Sequence, residues 1–421
     1  MLWQPPLPES YTKMTPENLA AAISTRRREL GDQLVILGHH YQTDEVIQHA
    51  DITGDSLKLS QQAALVAASG KVKYVVFCGV HFMAETADML TPEEVAVILP
   101  DLSAGCSMAD MAQYDDTVQA WEDIHASLAE QGWKGTIVPI TYVNSSAAIK
   151  AFVGEHGGAC CTSSNAGEVF RWAMSGGTTG RETGATQDIK VLFLPDQHLG
   201  RNTASAYGID TKAHTCLYDP RLTRRGHALG GATPEQLLAS KVILWAGHCS
   251  VHKLFRPEHC DQIRAENAAN PDAEPTTILV HPECAKEVVD KADLAGSTEF
   301  IIRTIREASV GSRWAIGTEV HLVARLAKEA AARGVAVRIL SDCQCLCTTM
   351  YRIDQPHLLW VLDNLAGDSA GRDPKIKKPK VVNQVSVHPK VRELALLAID
   401  RMLAHAGSGS VKAGPTTGAR A

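Results

Sequence analysis

The sequence predicts an α/β protein of three αβα, Rossmann-like units related by pseudo-threefold repetition, each on a short parallel sheet. Three observations carry this. A strand–loop–helix stretch occurs twice, at a constant offset of 242 residues. A weaker copy lies between the two. Short apolar runs alternate with helical stretches along the chain, the pattern of parallel strands joined by crossover helices.

The first copy covers 35–56. Val35-Ile36-Leu37 reads as a buried parallel strand that stops at Gly38 and delivers His39, His40 and Tyr41 into a loop. Thr43-Asp44-Glu45 then starts a short helix, with a capping oxygen and negative charge in its first turn. Gly54-Asp55-Ser56 opens the next helix. In the later copy His39 falls on His281, Tyr41 on Glu283, Glu45-Val46 on Glu287-Val288, Ala50-Asp51 on Ala292-Asp293, Gly54 on Gly296 and Ser56 on Thr298. No gap is needed, so the unit is read as duplicated. In the middle copy a strand over 137–140 leads into the loop Thr141-Tyr142-Val143-Asn144-Ser145-Ser146, and Thr162-Ser163-Ser164-Asn165 matches the hydroxyl loops at Ser56 and Thr298. Ligands of open α/β sheets bind outside the carboxyl ends of strands. Three such ends facing one another would form one central site.

The units span 1–133, 134–273 and 274–372, followed by a helical segment at 373–405 and a Gly/Ser/Thr-rich tail at 406–421 expected to be disordered. Further strands are expected at 71–77 and 95–99 in the first unit, and at 159–162, 191–195 and 242–245 in the second. The third unit should hold strands at 277–280, 299–304, 313–317 and 336–340. Helices are expected over 114–131, from 358 and over 391–404; 175–187 reads as an exposed loop and 374–382 as a solvated crossing. The segment 203–239 reads as a long irregular insertion, either a cover for the site or surface decoration.

A net charge of −6 and a pI near 6.3 exclude a nucleic-acid binder, which needs a basic face. No apolar run approaches the roughly 20 residues that span a bilayer. The first ten residues have neither the basic region nor the apolar core of a secretory signal, so a cytoplasmic protein is expected. Eleven cysteines are many for a reducing compartment, which raises metal binding or redox chemistry as an explanation, although most should be small core residues.

Cys106, Cys249 and Cys347 occupy equivalent places, each in the loop after the last strand of its unit. Three thiolates do not make a closed structural zinc site, which takes four ligands. They suit a [4Fe–4S] cluster with one iron open, at the centre of the three units. An open iron is a Lewis acid able to hold a carboxylate or hydroxyl. No local spacing supports the cluster by itself, because Cys343-x-Cys345-x-Cys347 is neither a ferredoxin run nor a zinc-type pair. An aconitase-like dehydratase and an iron–sulfur redox sensor remain open on this reading.

Several motifs together resemble the quinolinate synthase family. They are His39-x-Tyr41, Gly54-Asp55-Ser56, Cys78 to Thr86, Tyr142 to Ser146, Thr162 to Asn165, Pro195 to Arg201, Trp245 to His252, His281 to Cys284, Gly296 to Thr298 and Gly317-Thr318-Glu319. The resemblance implies three αβα domains around a central [4Fe–4S] cluster, each giving one cysteine. It implies condensation of iminoaspartate with dihydroxyacetone phosphate to quinolinate, with release of phosphate and water, on the route to NAD. It leaves room for an L-aspartate oxidase partner that delivers iminoaspartate. The implied cluster ligands are Cys106, Cys249 and Cys347, the last because Cys347-Thr348-Thr349-Met350 matches the family's Cys-x-x-Met. Cys343 and Cys345 are a departure, read as spare cysteines or a redox-sensitive pair. Glu283 is expected to be the general base, a desolvated carboxylate of raised basicity. Tyr41 and Tyr142 would donate to a carbonyl or leaving oxygen, and His39 and His281 would bind the triose phosphate and shuttle protons. Ser56, Asn144, Ser163, Ser297 and Thr298 would hold carboxylates or phosphate beside helix N-termini. His198, His248 and His252 are read as structural or supporting.

Overall fold

The computed structural model describes residues 4–178, 188–342 and 345–405. The chain divides into two units, Met1–Cys106 with Leu346–Arg392, and Ser107–Cys345 with Glu393–Ala421.

In the first unit, Ile36 and Leu37 are wholly buried on β1 (Leu34–His39). Full burial of such side chains contributes about 1.5–3 kcal/mol each, which sets this apolar run at the centre of its sheet. β1 is flanked by β2 (Ile52–Gly54) and β3 (Tyr74–Cys78), and β4 (Ala96–Ile98) lies beyond β3, all parallel. A short antiparallel strand, Gln384–Val385, closes the edge at β4. The N-terminal helix Pro16–Leu30 is anchored to helix Gln355–Ala366 through the buried Asp363. That carboxylate accepts from Arg26 Nε and from the Tyr11 hydroxyl, each at 2.7 Å.

The second unit carries two sheets. One is built of β5 (Thr136–Tyr142), β6 (Ala159–Cys161), β7 (Ile189–Leu194), β8 (Thr215–Tyr218) and β9 (Val242–Trp245), in the order β6-β5-β7-β9-β8. The other is built of β10 (Thr276–Val280), β11 (Leu294–Ala295), β12 (Arg313–Gly317) and β13 (Ala336–Ile339), in the order β11-β10-β12-β13. With β8 set aside as an addition beyond β9, all three sheets share one core order: second, first, third and last strand. The strand order reverses beside the first strand, and the crevice above that point is where such sheets take ligands.

The duplication extends to individual hydrogen bonds. Leu37 pairs with Ile52, and Leu279 with Leu294. The Ile36 amide donates to Asp51 Oδ2 at 2.8 Å, and the Ile278 amide to Asp293 Oδ2 at 2.7 Å. The short helices Asp44–Ile47 and Lys286–Val289 stand at the same offset.

Two expectations are corrected. Residues 299–304 are not a strand but the core of helix Thr298–Arg306. Its apolar side chains Ile301, Ile302 and Ile305 share one buried face at helical spacing, and the Ser297 hydroxyl caps its start. The β-branched pair imitates a strand, but the duplicated counterpart Ser56–Ala67 is helical too. The segment 203–239 is not irregular. It completes helix Gln197–Tyr207, supplies β8 to the sheet and ends in helix Pro234–Ala239, which starts with a capping box at Thr233. Residues 179–187, Cys343 and the 406–421 tail lie outside the described residues, and with them most of the expected 175–187 loop and any Cys343–Cys345 pair. Among the described residues no helix is long and apolar enough to cross a membrane.

Candidate active site

The first strands β1, β5 and β10 deliver His39, Tyr142 and His281 to the carboxyl ends of their sheets. In the first unit the His39 ring is buried and meets Tyr41 edge-on, with centroids 4.8 Å apart. The Tyr41 amide donates to His39 Nδ1 at 3.1 Å. In the second unit the Glu283 amide is aimed at His281 Nδ1 at 3.4 Å. Each neutral imidazole thus accepts at Nδ1, which leaves the Nε2 proton to point elsewhere.

Around Glu283 the second unit assembles a closed polar cluster. His252 Nδ1 lies 2.8 Å from Glu283 Oε2, and His252 Nε2 lies 3.1 Å from the Thr318 hydroxyl. The His252 and His281 rings stack at 4.5 Å, and Tyr142 hydrogen-bonds to Glu283. His252, His281, Glu283 and Thr318 are all buried. Burial pushes the Glu283 carboxyl up, but the neighbouring His252 and the hydrogen bonds from His252 and Tyr142 outweigh it, and the net direction is down, to about 2. Burial, then the neighbouring His252, lowers His281 to about 3. The expected gain in basicity from burial is therefore offset here: the carboxylate is held by partners rather than left bare.

The donor atoms of Cys249, His252 and Glu283 lie within 4.8 Å of one another, a thiol–imidazole–carboxylate set able to hold a metal ion. Among the ten described cysteines, Cys106, Cys249 and Cys347 are half-buried and the other seven are buried. Burial raises Cys78 and Cys160 to about 12 and Cys260 to about 11, and raises Cys161, Cys216 and Cys284 as well. Those thiols stay protonated, whereas metal ligation needs the thiolate.

The three half-buried cysteines also share a local structure. Each stands three residues before a three-residue 3₁₀ turn: Ala109–Met111, His252–Leu254 and Met350–Arg352. In each sheet the first amide of the helix after the third strand donates to the carbonyl two residues before the cysteine. The bonds are His81 to Ala104 at 2.9 Å, Gln197 to Gly247 at 3.0 Å and Val320 to Cys345 at 3.1 Å.

The remaining predicted residues sit at helix starts and loops. Ser56 and Thr298 open helices Ser56–Ala67 and Thr298–Arg306, whose positive dipole ends favour anions. Ser297 is buried and spends its hydroxyl oxygen on capping the Phe300 amide. Ser163 is buried in the loop after β6. Asn144 follows Tyr142 with a buried Oδ1 that has no hydrogen-bond partner, the kind of atom a ligand satisfies.

The sequence profile of the quinolinate synthetase A protein family, NadA, matches residues 21–404. The chain belongs to this family. Among curated proteins, a quinolinate synthase of Acidobacterium capsulatum is 49% identical over 94% of this chain and 95% of its own. One from a Nocardioides species is 51% identical over 90% of this chain and 87% of its own, and one from Anoxybacillus flavithermus is 48% identical over 95% and 97%.

Two residues outside the expected catalytic set join this geometry. His252, read as structural or supporting, contacts Glu283, His281, Thr318 and the vicinity of Cys249. Its signal was available in the spacing, since Cys249-x-x-His252 parallels Cys347-x-x-Met350. Asp196, which follows β7, is the other. It is 0% exposed, caps helix Gln197–Tyr207 and touches the Cys249 loop.

Proposed function

We propose that this protein is a cytoplasmic quinolinate synthase that condenses iminoaspartate with dihydroxyacetone phosphate, releasing phosphate and water, in de novo NAD biosynthesis. In this reading Cys106, Cys249 and Cys347 hold a [4Fe–4S] cluster. The observation that carries it is the repeated thiol loop: three half-buried cysteines with the same 3₁₀ turn and the same amide tether. Names borne by relatives at about half identity over nearly the full chain support the activity. When bound, the cluster's open iron supplies Lewis acidity for a substrate hydroxyl or carboxylate.

The residues divide the remaining work. Glu283 takes protons from carbon as the general base, and its bond to His252 gives each proton a relay. Tyr41 and Tyr142 donate to the carbonyl and leaving oxygens. His39 and His281, each accepting at Nδ1, offer Nε2–H to the triose phosphate. Asn144, Ser163, Ser297, Ser56 and Thr298 bind carboxylates and phosphate. An L-aspartate oxidase partner supplies the short-lived imine.

Anaerobic purification followed by iron, sulfide and quinolinate assays with both substrates tests this. The brown, iron-loaded protein turns over, and alanine at any one of Cys106, Cys249 and Cys347 removes both iron and activity. A colourless, iron-free but active preparation, or full activity in Cys249→Ala, sinks the reading.

A further inference from the structure

The loops before Cys249 and after β7 are pressed backbone to backbone. Asp196 and Gly247 pair as an isolated parallel bridge. A Cβ at Gly247 would lie 2.2 Å from the Pro195 carbonyl oxygen, so no larger residue fits. The Asp196 carboxylate stands at this junction, 0% exposed. Its Oδ1 accepts from the His198 and Leu199 amides at 2.7 and 2.8 Å. Its Oδ2 accepts from the amide of Cys249 itself, at 3.2 Å.

The corresponding places in the other sheets differ. Two residues past β12 stands Glu319, also 0% exposed, which caps helix Val320–Ala331 through Oε2. Its other oxygen, Oε1, is taken by His321 Nδ1 at 2.9 Å. Two residues past β3 stands Val80, which has no carboxylate. The amide tether is common to all three loops, and at Cys249 a buried carboxylate also takes the cysteine's own amide.

We propose that Asp196 is a positioning residue that fixes the Cys249 main chain so that its thiolate is preorganised for the metal centre. The inference rests on the cluster reading above. A ligand loop whose own backbone is held by a buried hydrogen bond to a fixed side chain needs no reordering when metal arrives. Removing a group that orients a metal ligand typically costs about ten- to a hundredfold in affinity.

The test uses the full chain. Asp196→Asn keeps an oxygen for the helix cap but turns an NH2 donor towards the Cys249 N–H. Asp196→Ser keeps only the cap. Glu319→Gln is the control, a cap change in a carboxylate bonded to His321. Each protein is reconstituted without oxygen using iron and sulfide. Bound iron, the paramagnetic resonance of the reduced cluster, iron release to a chelator and the melting temperature of the apoprotein are then measured. Both Asp196 variants melt within a few degrees of wild type, show an altered resonance and release iron about ten- to a hundredfold faster. Glu319→Gln behaves as wild type. Asp196→Asn and Asp196→Ser that hold iron as long as wild type overturn the inference alone. A wild-type chain that takes up no iron sinks the cluster reading first, and this inference with it.

Discussion

The loops after β1 and β10 are built alike and equipped differently. Both sheets pin the strand to the same aspartate, Asp51 or Asp293, and both aim the amide two residues past a histidine back at its Nδ1. At that shared position one loop carries Tyr41 and the other Glu283. The scaffold bonds survive duplication because each satisfies a buried backbone group that costs about 1–3 kcal/mol when left unpaired. The side chain beyond the scaffold is under no such constraint and is where the two copies diverge in chemistry. One copy presents a phenol, the other a carboxylate held by His252 and Tyr142.

The largest test of this division exchanges the divergent residues. Glu283→Gln should lower kcat for quinolinate formation by about 10²- to 10⁴-fold, the size of a lost general base. Tyr41→Phe, which removes one neutral hydrogen-bond donor, should cost about tenfold or less. Steady-state rates of iron-loaded proteins with unchanged circular dichroism decide it; equal losses would erase the distinction between the two loops.

A smaller effect separates the glycines of the repeat. A Cβ at Gly296 would lie 2.1 Å from Phe300 Cδ1, whereas the nearest neighbour of one at Gly54 is the Lys58 side chain, at 3.1 Å. Gly296→Ala should therefore destabilise by about 1–3 kcal/mol through overpacking, and Gly54→Ala by less than about 1 kcal/mol, because a lysine stem moves aside. Urea titration of the two variants sharpens the comparison, and the reverse order would break it.

The smallest effect is a pH dependence at one position where the two copies differ. His49 is buried and accepts at Nε2 from Gln355, and burial, then the nearby Arg27, lowers it from 6.5 to about 4. At the same offset the third sheet carries the exposed Lys291, paired with Asp261. A histidine whose folded pKa is depressed contributes stability that is present above its unfolded value and lost as pH falls towards the folded one. The urea midpoint should therefore drop between pH 6.5 and 4 in wild type and less so in His49→Gln. Identical acid profiles would show that His49 charges without penalty.

Much of this architecture was legible. Apolar runs such as Val35-Ile36-Leu37 mark central strands because parallel strands are buried on both faces. The offset of 242 residues matched His39 with His281, and the structure repeats that match in single hydrogen bonds. What failed was local reading without the repeat. Ile301-Ile302 looked like a strand because β-branched residues favour both a sheet and a buried helix face, and only the helical counterpart at Ser56–Ala67 settles which. The contacts of His252 with Glu283 and of Asp196 with Cys249 join residues distant in sequence, so local spacing does not reveal them. The depressed Glu283 carboxyl was equally hidden: burial alone predicts the opposite direction, and its partners come from β5 and from the turn after Cys249.

Between β7 and β9 the second sheet makes an excursion that lays β8 along its outer rim, with two further helices. The bond from Gln197 to Gly247 nonetheless matches its counterparts beside Cys106 and Cys347, and the turn after the cysteine has the same length. The location of the sulfur is thus dictated by its immediate neighbours and not by how much polypeptide intervenes. Ornament can be grafted onto that rim, or pruned from it, while the reactive corner of the sheet keeps its form.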